Sequence, residues 1–531
     1  MNKRAFTLIE LLIVIAIIAV LAGVIFVALN PLQRFRDARN SRRVTDVLAI
    51  ADAVRIYQFG HGGQLPTGLD GIFRMLGTAT TGCDIACGAA SSYVDDTQVE
   101  FDAGSYSLTV YDAINSWVGL TSAGRVAGSG YYSSEIKDAG SSASWIGLGW
   151  TPQFPYYKEL PNSSASESNY PDGNANMNGN VLLMHMNETS GVIQDTSGNN
   201  NNATNNGASY GATGQFNSGL NFDGSNDYIR VSDSNSLDVT SAVTFAGWFR
   251  ADGFSHAGGG NYPRILHKNA AYAVFIENVG NKLVCRMSGL SVGDLVGVTS
   301  LNNGQFYHFA CTYDSSTGIK RIYINGLPDK SSTAVSGNIA QNSNDLYIGD
   351  DGTASRKFDG ILDEITVFNR ALSSDEVLDH YRRGALRLTY QVRSCDDILC
   401  SGETFIGPDG TNSTYYSELS NSTTGLPTLT LTNVPDNQYF QYQTTFQTSN
   451  SSYSPELYSV SIANSSSSGA TLQPACLDLS AILSEQLSTI PYDPSSGNHE
   501  RTYYATRRRT GGQIDVLSCG AEGDENISVS K

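Results

Sequence analysis

The sequence predicts an α+β chain in which one long N-terminal helix carries several antiparallel β-sandwiches. An apolar run of 24 residues begins at position 6, and a second helical pattern follows it to about position 59. Beyond that point apolar and polar residues alternate in short runs separated by turn pairs such as NG and DG. The chain has 53 Gly and only 16% charged residues, which is typical of extracellular β-sandwiches with many turns.

Residues 6–29 are the first predicted element. At 1.5 Å per residue, a helix of this length can cross the hydrocarbon core of a bilayer, which is about 30 Å thick. Glu10 is the only charged residue in the run, and Lys3 and Arg4 precede it. A carboxylate near the end of a membrane helix is unfavourable in lipid, so we expect Glu10 to have a partner.

The N-terminal segment MNKRA followed by FTLIELLIVIAIIAVLA resembles the class III signal of type IV prepilins and pseudopilins. The resemblance implies that a prepilin peptidase cuts between Ala5 and Phe6 and that the new N-terminus is methylated. The family usually has Gly where this chain has Ala5. In the family, the residue matching Glu10 neutralises the N-terminal amine of the neighbouring subunit and so sets the stagger of the fibre. An ordinary signal anchor is the alternative, and a secretory signal peptide fits less well because its apolar core would be shorter.

A second helical segment follows the apolar run. Pro31 lacks an amide hydrogen, which predicts a kink near Asn30. The helix is expected to end at about Phe59, before the HGG at 61–63. Its predicted apolar face consists of residues spaced three and four apart, namely Val44, Val47, Leu48, Ala51, Val54 and Tyr57.

Charge and resemblance disagree on the orientation of this helix. Five arginines follow the apolar run, and the positive-inside rule would keep them in the cytoplasm. The prepilin resemblance implies the reverse, with the leader inside and the head exported. We follow the resemblance, because the β-rich remainder with its eight Cys fits an oxidising exterior.

The C-terminal residues 474–519 predict a short helix, a Pro-bounded turn and two strands. The turn IPYDPSSG and the strands RTYYATRR and QIDVLSC resemble the C-terminal region of pilin and major-pseudopilin heads. The resemblance implies that residues 1–90 and 470–531 together form one pilin domain. Everything between them would then be an insertion.

Residues 180–384 form a recognisable block within that insertion. Segments such as GLNFDGSNDYIRV, VTFAGWFRA and FDGILDEITVFNRALSSDEV resemble a laminin-G-like, concanavalin A-like jelly roll. Such domains bind glycans or proteins. Trp145, Trp150 and Trp248 are interpreted as core residues and not as sugar platforms.

Two β-rich stretches flank the block, at residues 131–151 and 386–462. Each is too short for a sandwich of its own, so we expect them to combine into one sandwich interrupted by the jelly roll. The alternative is a series of independent small β domains.

Tracts rich in Ser, Asn and Gly at 162–180 and 464–469 are interpreted as joints. The predicted division is a leader (1–5), the stem helix with the first portion of the pilin head (6–90), the first portion of the sandwich with a linker (91–179), the jelly roll (180–384), the second portion of the sandwich (385–469) and the second portion of the pilin head (470–531).

The net charge and the cysteine content limit which partners the chain can have and in which cellular compartment it works. The net charge is −18, and the first 55 residues hold eight Lys or Arg against four Asp or Glu. The acidic remainder argues against nucleic acid as a partner. Sequence alone permits 105 pairings of eight Cys. Proximity along the chain favours the pairs Cys83 with Cys87, Cys285 with Cys311, Cys395 with Cys400, and Cys476 with Cys519.

Calcium is the cofactor that the jelly-roll resemblance suggests. Its oxygen ligands are predicted at Asp195 and Asp363, with Asp223 as a further candidate. These residues could equally be turn aspartates that cap their own loops. Asp493, in the IPYDPSSG turn, is a candidate for a second Ca²⁺ by resemblance to major pseudopilins.

We expect binding and not catalysis. No E-x-D-x-E run occurs in the chain, so the pair of acid residues that concanavalin A-type hydrolases carry on one strand is not evident. Asp363 and Glu364 are adjacent, so on a strand they would face opposite sides.

The predicted function is a type IV pilin-like subunit, of the minor kind, that displays a lectin-like head on a surface filament. Its expected partners are the prepilin peptidase, other pilin subunits, the assembly platform, the inner membrane and an extracellular glycan or protein. The alternatives are a pseudopilin with a structural head and a pilin-anchored surface glycoside hydrolase.

Overall fold

The computed structural model describes residues 31–83, 86–87, 92–163, 165–254, 262–277, 279–353, 356–466, 470–471, 473, 475–480, 482–484, 486–494, 497–508, 513–519 and 528–530. The predicted membrane span at 6–29, the processing residues Ala5 and Phe6, and Glu10 lie outside these residues. Within the described ranges, no helix is both long and apolar enough to cross a membrane.

The described elements are mostly short strands. The helices are α1 Pro31–Gly60, α2 Gln98–Asp102, α3 Ser122–Ala127 and α4 Ser374–Ala385. The first strands are β1 Arg74–Met75, β2 Ala86–Cys87, β3 Ser92–Asp95, β4 Ser105–Ser107, β5 Thr109–Asp112, β6 Trp117–Leu120, β7 Ser129–Ser133 and β8 Lys137–Pro152. The middle strands are β9 Asn180–Met184, β10 Ala203–Asn206, β11 Ser209–Thr213, β12 Ser218–Asp223, β13 Tyr228–Val231, β14 Ala242–Gly253, β15 Arg264–Lys268, β16 Tyr272–Ile276, β17 Leu283–Met287, β18 Asp294–Val296, β19 Phe306–Asp314, β20 Ile319–Ile324, β21 Leu327–Ser331, β22 Leu346–Ile348 and β23 Asp359–Phe368. The last strands are β24 Leu386–Cys395, β25 Tyr416–Ser417, β26 Thr428–Thr430, β27 Asn437–Thr448, β28 Leu457–Ser466, β29 Ala470–Thr471, β30 Tyr504–Arg508, β31 Ile514–Ser518 and β32 Ser528–Ser530.

Helix α1 packs on a four-stranded antiparallel sheet in the order β1-β30-β31-β32, and we call this unit the stem module. The sheet joins strands from the two ends of the chain, because Arg74 of β1 lies opposite Thr506 of β30. The helix ends at Gly60, one residue beyond the predicted end.

The buried face of α1 differs from the predicted one. Val47, Ala51 and Val54 are buried as expected, whereas Val44 is 44% exposed and Leu48 is 37% exposed. The buried stripe instead includes Ile50, which joins a core cluster with residues of β30 and β31. The prediction was wrong at Val44 and Leu48. Both residues lie to one side of the helix face that packs on the sheet.

A disulfide also ties together the two ends of the stem module. Cys83 is bonded to Cys476, 393 positions away, with their Cα atoms 5.3 Å apart. The pairings of Cys83 with Cys87 and of Cys476 with Cys519 were therefore wrong, because the pairing of distant strands brings residues together that sequence proximity does not. Cys285 with Cys311 and Cys395 with Cys400 are confirmed as pairs, and Cys519 is disulfide-bonded.

Strands from residues 92–152 and 386–466 form one sheet of 11 strands, which we call the outer β module. Its main path runs β25-β24-β27-β8-β28-β6-β5, so the sheet interleaves strands from the two chain segments. The hydrophobic core of this module draws on both chain segments and contains Trp145, Trp150, Tyr390 and Phe440. Both of these tryptophans are 3% exposed, which confirms their prediction as core residues.

Residues 180–384 form a two-sheet sandwich, which we call the inner β module. One sheet has the order β10-β13-β22-β15-β16-β17-β18, and the other β11-β12-β23-β14-β19-β20-β21, with β9 on β23. The disulfide between Cys285 and Cys311 links β17 of the first sheet to β19 of the second. Trp248 is 3% exposed, as predicted for a core residue.

Residues 153–179 connect the two β modules. The composition of residues 162–180 predicts a loose joint, but apolar residues of this connecting segment pack closely against the inner β module. Leu160, Ala175 and Met177 are buried in one cluster with Leu183 of β9 and Phe368 of β23. A few apolar residues spaced along a polar stretch are enough to hold it against a sheet, and the average composition does not reveal them.

Candidate functional site

The site lies where β23 departs from regular strand geometry. Glu364 has φ +51°, an uncommon value for a residue other than glycine, and the register between β14 and β23 shifts beside it, between Ala246 and Trp248. Such irregularities redirect side chains and occur often at functional sites. Here the Glu364 carboxylate, only 3% exposed, meets residues from two other segments.

Glu364 belongs to a cluster with Glu159 and His185. The Nδ1 atom of His185 is hydrogen-bonded to Glu364 Oε1 and lies 3.9 Å from Glu159 Oε2. One candidate ligand atom from each of the three residues lies within 4.8 Å of the others. Around them, Asn187 Nδ2 donates to Glu159 Oε1 at 2.5 Å, and the backbone N–H of Leu160 donates to Glu364 Oε2 at 3.2 Å.

The electrostatics of the cluster favour a charged imidazole. Burial is the largest single influence on His185 and lowers its pKa, but the combined effect of Glu364, Glu159 and Asp363 is greater and raises the pKa to about 9. Burial and the repulsion of Glu364 raise the pKa of Glu159. The cluster can therefore hold an imidazolium between two carboxylates or, once that proton leaves, a divalent cation.

The donor set favours a transition ion over calcium. One imidazole nitrogen and two carboxylates suit Zn²⁺ or a similar ion, whereas Ca²⁺ prefers six to eight oxygen ligands. Asn162 Oδ1 lies 2.7 Å from Nε2 of His185. This contact fixes the orientation of the ring from the side opposite the carboxylates.

Asp363 is adjacent in sequence but makes different contacts. Its Oδ2 accepts a hydrogen bond from the backbone N–H of Phe216 at 2.9 Å, while its Oδ1 is buried and has no hydrogen-bond partner among the described residues. Burial, followed by the charge of Glu364, raises the pKa of Asp363 well above its usual range. Gly214 allows the loop to approach, since a Cβ there would lie 2.6 Å from Asp363 Oδ2.

Asp195 caps its own turn. Its Oδ1 accepts hydrogen bonds from the backbone N–H groups of Leu183 and Ser197 at 3.0 and 2.9 Å, and its Oδ2 accepts one from the backbone N–H of Asn201 at 2.8 Å. Asp223 is exposed, and its Oδ1 accepts a hydrogen bond from the N–H of Ser225 at 2.8 Å. Both residues adopt the turn-capping arrangement that was left open as the alternative to calcium binding.

The three predicted calcium ligands do not converge on one point. Asp223 lies opposite Asp359 at one end of β23, whereas Asp195 binds Leu183, which lies opposite Thr366 near the other end. At about 3.3 Å per residue, those positions on β23 are roughly 23 Å apart. A single site built from Asp195, Asp223 and Asp363 is therefore not formed, because the strand register separates them.

Asp493, the predicted ligand of a second calcium, forms a buried ion pair in the stem module. Nε of Arg43 lies 2.6 Å from Asp493 Oδ2, and Nη2 of Arg43 lies 3.2 Å from Oδ1. Both side chains are fully buried. The guanidinium thus engages both carboxylate oxygens, which does not fit the expected calcium role.

Sequence reasoning missed Glu159 and His185. Glu159 lies just before the predicted joint at 162–180, and His185 directly follows β9 as the single polar residue in LLMHM. Glu364 was considered only as a partner for Asp363. The DE pair on a predicted strand and the isolated histidine after another were the available signals, but nothing in the sequence indicates that β9 and β23 are neighbours.

Two family models match the chain. Residues 223–378 match the model of the concanavalin A-like lectin/glucanase superfamily, and residues 1–26 match the prokaryotic N-terminal methylation motif. No curated protein matches the chain.

Solved structures resemble regions of the chain at low identity. The binding domain of Paraclostridial mosquitocidal protein 1 is 18% identical, with a TM-score of 0.33, over 43% of this chain and 67% of that one. Domain 4 of the arabinanase AbnA from Geobacillus stearothermophilus is 18% identical, with a TM-score of 0.30, over 38% and 97%. Trypanosoma rangeli sialidase is 16% identical, with a TM-score of 0.30, over 38% and 32%. The chain therefore carries a prokaryotic N-terminal methylation motif at its start and a concanavalin A-like domain within its inner β module.

Proposed function

We propose that this chain is a type IV pilin-like subunit, of the minor kind, that displays a non-catalytic binding head outside the cell. The observation that carries the proposal is the presence in one chain of a methylation motif at 1–26 and a concanavalin A-like domain at 223–378. The first is the assembly signal of a filament subunit and the second is a ligand-binding fold. The proposed ligand is an extracellular glycan or protein.

The proposal includes the nested division of the chain. The stem module would comprise residues 6–90 and 470–531, the outer β module residues 91–179 and 385–469, and the inner β module residues 180–384. Three features support this division: the pairing of β1 with β30, the pairing of β3 with β28, and the disulfide between Cys83 and Cys476. Each joins segments that lie on either side of an inserted module.

Processing and assembly follow from the proposal. A prepilin peptidase would cut between Ala5 and Phe6, and the subunit would wait in the inner membrane before the assembly platform adds it to a filament. Glu10 would pair with the N-terminal amine of a neighbouring subunit. An ion pair in lipid tolerates no slip in register, because a displaced carboxylate would be left unpaired.

Filament incorporation tests this function. Glu10→Leu should leave the protein in the inner membrane and remove it from sheared filaments, because the assembly ion pair is lost. Glu10→Asp, which keeps the carboxylate, is the matched control and should retain at least some of the yield. A normal yield of Glu10→Leu in filaments contradicts the proposed assembly role, and a wild-type chain absent from sheared filaments favours a short periplasmic filament instead.

A bound divalent cation at Glu159, His185 and Glu364 is the cofactor that we propose in place of calcium. The support is the geometry of three ligand atoms within 4.8 Å of one another. The ion would tie the connecting segment, through Glu159, to β9 and β23 of the inner β module. Its role would be structural, since the head is proposed to bind and not to catalyse.

A further inference from the structure

A cleft of about 360 Å³ lies where the outer and inner β modules meet. Its walls come from β6, the segment after β8, the end of α4, and the loop before β28. Pockets of 300 to 1,000 Å³ at domain interfaces are typical sites for small ligands. None of Glu159, His185 and Glu364 lines this cleft, so it is separate from the proposed cation site.

Aromatic side chains form one side of the cleft. Trp117, Phe154, Tyr453 and Tyr458 all line it and are half-buried, so each ring retains some exposed surface. The ring of Trp117 lies across its own strand. Gly119 permits this, since a Cβ at that position would come within 2.5 Å of the Trp117 ring.

A guanidinium held between aromatic rings lines the same space. Arg382 lies 5.0 Å from the ring centre of Phe154 and 4.7 Å from that of Tyr453, so two rings position its charge. Its Nε is buried and has no hydrogen-bond partner among the described residues. A guanidinium carries five N–H donors, so a ligand oxygen that enters the cleft meets a positively charged donor group at Arg382.

Polar groups complete the lining. Gln153 Nε2 donates to Asp172 Oδ2 at 2.9 Å, and the hydroxyl of Tyr458 donates to Gln153 Oε1. Glu456 accepts a hydrogen bond from the Tyr156 hydroxyl, and burial raises the pKa of Glu456 to about 7. Near neutral pH its carboxyl group can therefore donate as well as accept.

We propose that this cleft binds one pyranose unit of a neutral glycan. A pyranose has an apolar C–H face that packs on aromatic rings and a rim of hydroxyls that both donate and accept hydrogen bonds. The cleft offers Trp117 for the face and Gln153, Asp172 and Arg382 for the rim. A phosphate would meet the Asp172 carboxylate, and a purely apolar ligand would displace water from these polar groups without replacing the hydrogen bonds that the water makes.

This inference rests on the proposed binding function and assigns the ligand to the junction of the two β modules. Its test uses the full chain in detergent micelles and three probes: the methyl glycosides of glucose, mannose and galactose. Saturation-transfer NMR measures binding of each. At least one probe should bind with a Kd in the millimolar range, and Trp117→Ala should weaken that binding at least tenfold.

Two further variants keep the test decisive. Asp172→Ala alters an exposed residue, so this variant should keep the wild-type fold. We expect its binding of the pyranoside to weaken severalfold. Tyr347→Ala, which removes an aromatic ring from the inner β module, is the matched control and should bind as the wild type does. The melting temperature of each variant shows whether the fold is retained.

The outcomes separate this inference from the proposed function. Equal binding by Trp117→Ala, Asp172→Ala and wild type overturns the cleft as the site, and so does the failure of all three probes to bind wild type. Neither result affects filament incorporation, which the Glu10 variants measure. Loss of filament incorporation in Glu10→Leu with unchanged pyranoside binding supports both proposals.

Discussion

Glu418 is a buried carboxylate where the outer β module meets the connecting segment 153–179. Its Oε2 accepts a hydrogen bond from the Tyr170 hydroxyl at 2.7 Å and lies 3.8 Å from Lys158 Nζ, while its Oε1 is buried and has no hydrogen-bond partner among the described residues. Burial raises the pKa of Glu418 to about 7, although Lys158 opposes the shift. The protonated form is thus the one that the fold favours.

The raised pKa of Glu418 predicts a pH-dependent stability. Between the ordinary pKa of a glutamate and pH 7, the folded chain binds more protons than the unfolded chain. The contribution of protonated Glu418 to the free energy of unfolding is therefore present at low pH and is lost as the pH rises through 7. Glu418→Gln mimics the protonated form and should stabilise the chain at pH 8 by about 3 kcal/mol relative to wild type, with little difference near the ordinary pKa of a glutamate. Thermal unfolding at both pH values measures this, and the exposed Glu500→Gln serves as control. A variant that follows the wild type at both pH values would contradict it.

The proposed cation site at His185 gives a second prediction at the residue scale. Zn²⁺ should raise the melting temperature of the wild type and a chelator should reverse the increase, because an ion bound only by the folded chain stabilises it. His185→Gln removes the imidazole ligand and should abolish the response. If Zn²⁺ has no effect on the wild type, the cluster is an imidazolium held between two carboxylates.

Sequence alone could not have assembled this cluster. Its three members come from a connecting segment, the end of β9 and the irregular position in β23. The pairing of β9 with β23 and the packing of the connecting segment on these strands bring them together. The sequence did locate the buried tryptophans and two of the disulfides, because the tryptophans lie in predicted strands and the bonded cysteines lie only 26 and 5 positions apart. Asp195 and Asp223 were also identified as turn residues, but their caps could not be distinguished from ion ligands without the register.

At the scale of elements, a buried ion pair joins α1 of the stem module to the loop before β30. Arg43 and Asp493 are fully buried and lie 450 positions apart. The sequence pattern identified α1 and its end. In the sequence, however, Arg43 is one of five closely spaced arginines, and nothing distinguishes it from the other four. Only the packing of the C-terminal loop on the helix shows that this arginine faces inward.

Breaking the pair should destabilise the stem module strongly. Arg43→Met removes the guanidinium that faces the buried Asp493 carboxylate, and loss of one member of a buried ion pair typically costs about 3–5 kcal/mol. The double variant Arg43→Met with Asp493→Leu should recover some of the loss, because both charges are gone. Calorimetry of the full chain measures the transition of the stem module.

The neighbouring arginine provides a matched control. Arg42 is 58% exposed and lies 3.8 Å from Asp46, so Arg42→Met should cost less than about 1 kcal/mol. Equal losses in Arg42→Met and Arg43→Met would contradict the importance of the buried pair. A double variant no more stable than Arg43→Met alone would show that the pair contributes through geometry and not through charge compensation.

At the scale of the whole molecule, the connecting segment 153–179 packs on both β modules: Tyr156 lies in the core of the outer one, whereas Leu160 and Met177 lie in a core cluster of the inner one. Leu160 and Met177 are buried against β9 and β23, and Arg383 of α4 binds Glu167 Oε1 at 2.6 Å. The concanavalin A-like match begins only at residue 223. Domain boundaries drawn from composition or family similarity therefore cut through a packed core.

This packing predicts how fragments of the chain behave. A fragment of residues 154–385 should fold with a higher melting temperature than one of residues 180–384, because the shorter fragment exposes the apolar surface that Leu160 and Met177 cover. Burial of two such side chains contributes about 3–6 kcal/mol. Leu160→Ala with Met177→Ala in the longer fragment should lower its stability toward that of the shorter one. Thermal unfolding of the three proteins measures this, and equal melting temperatures for the two fragments would show that segment 153–179 is only a tether.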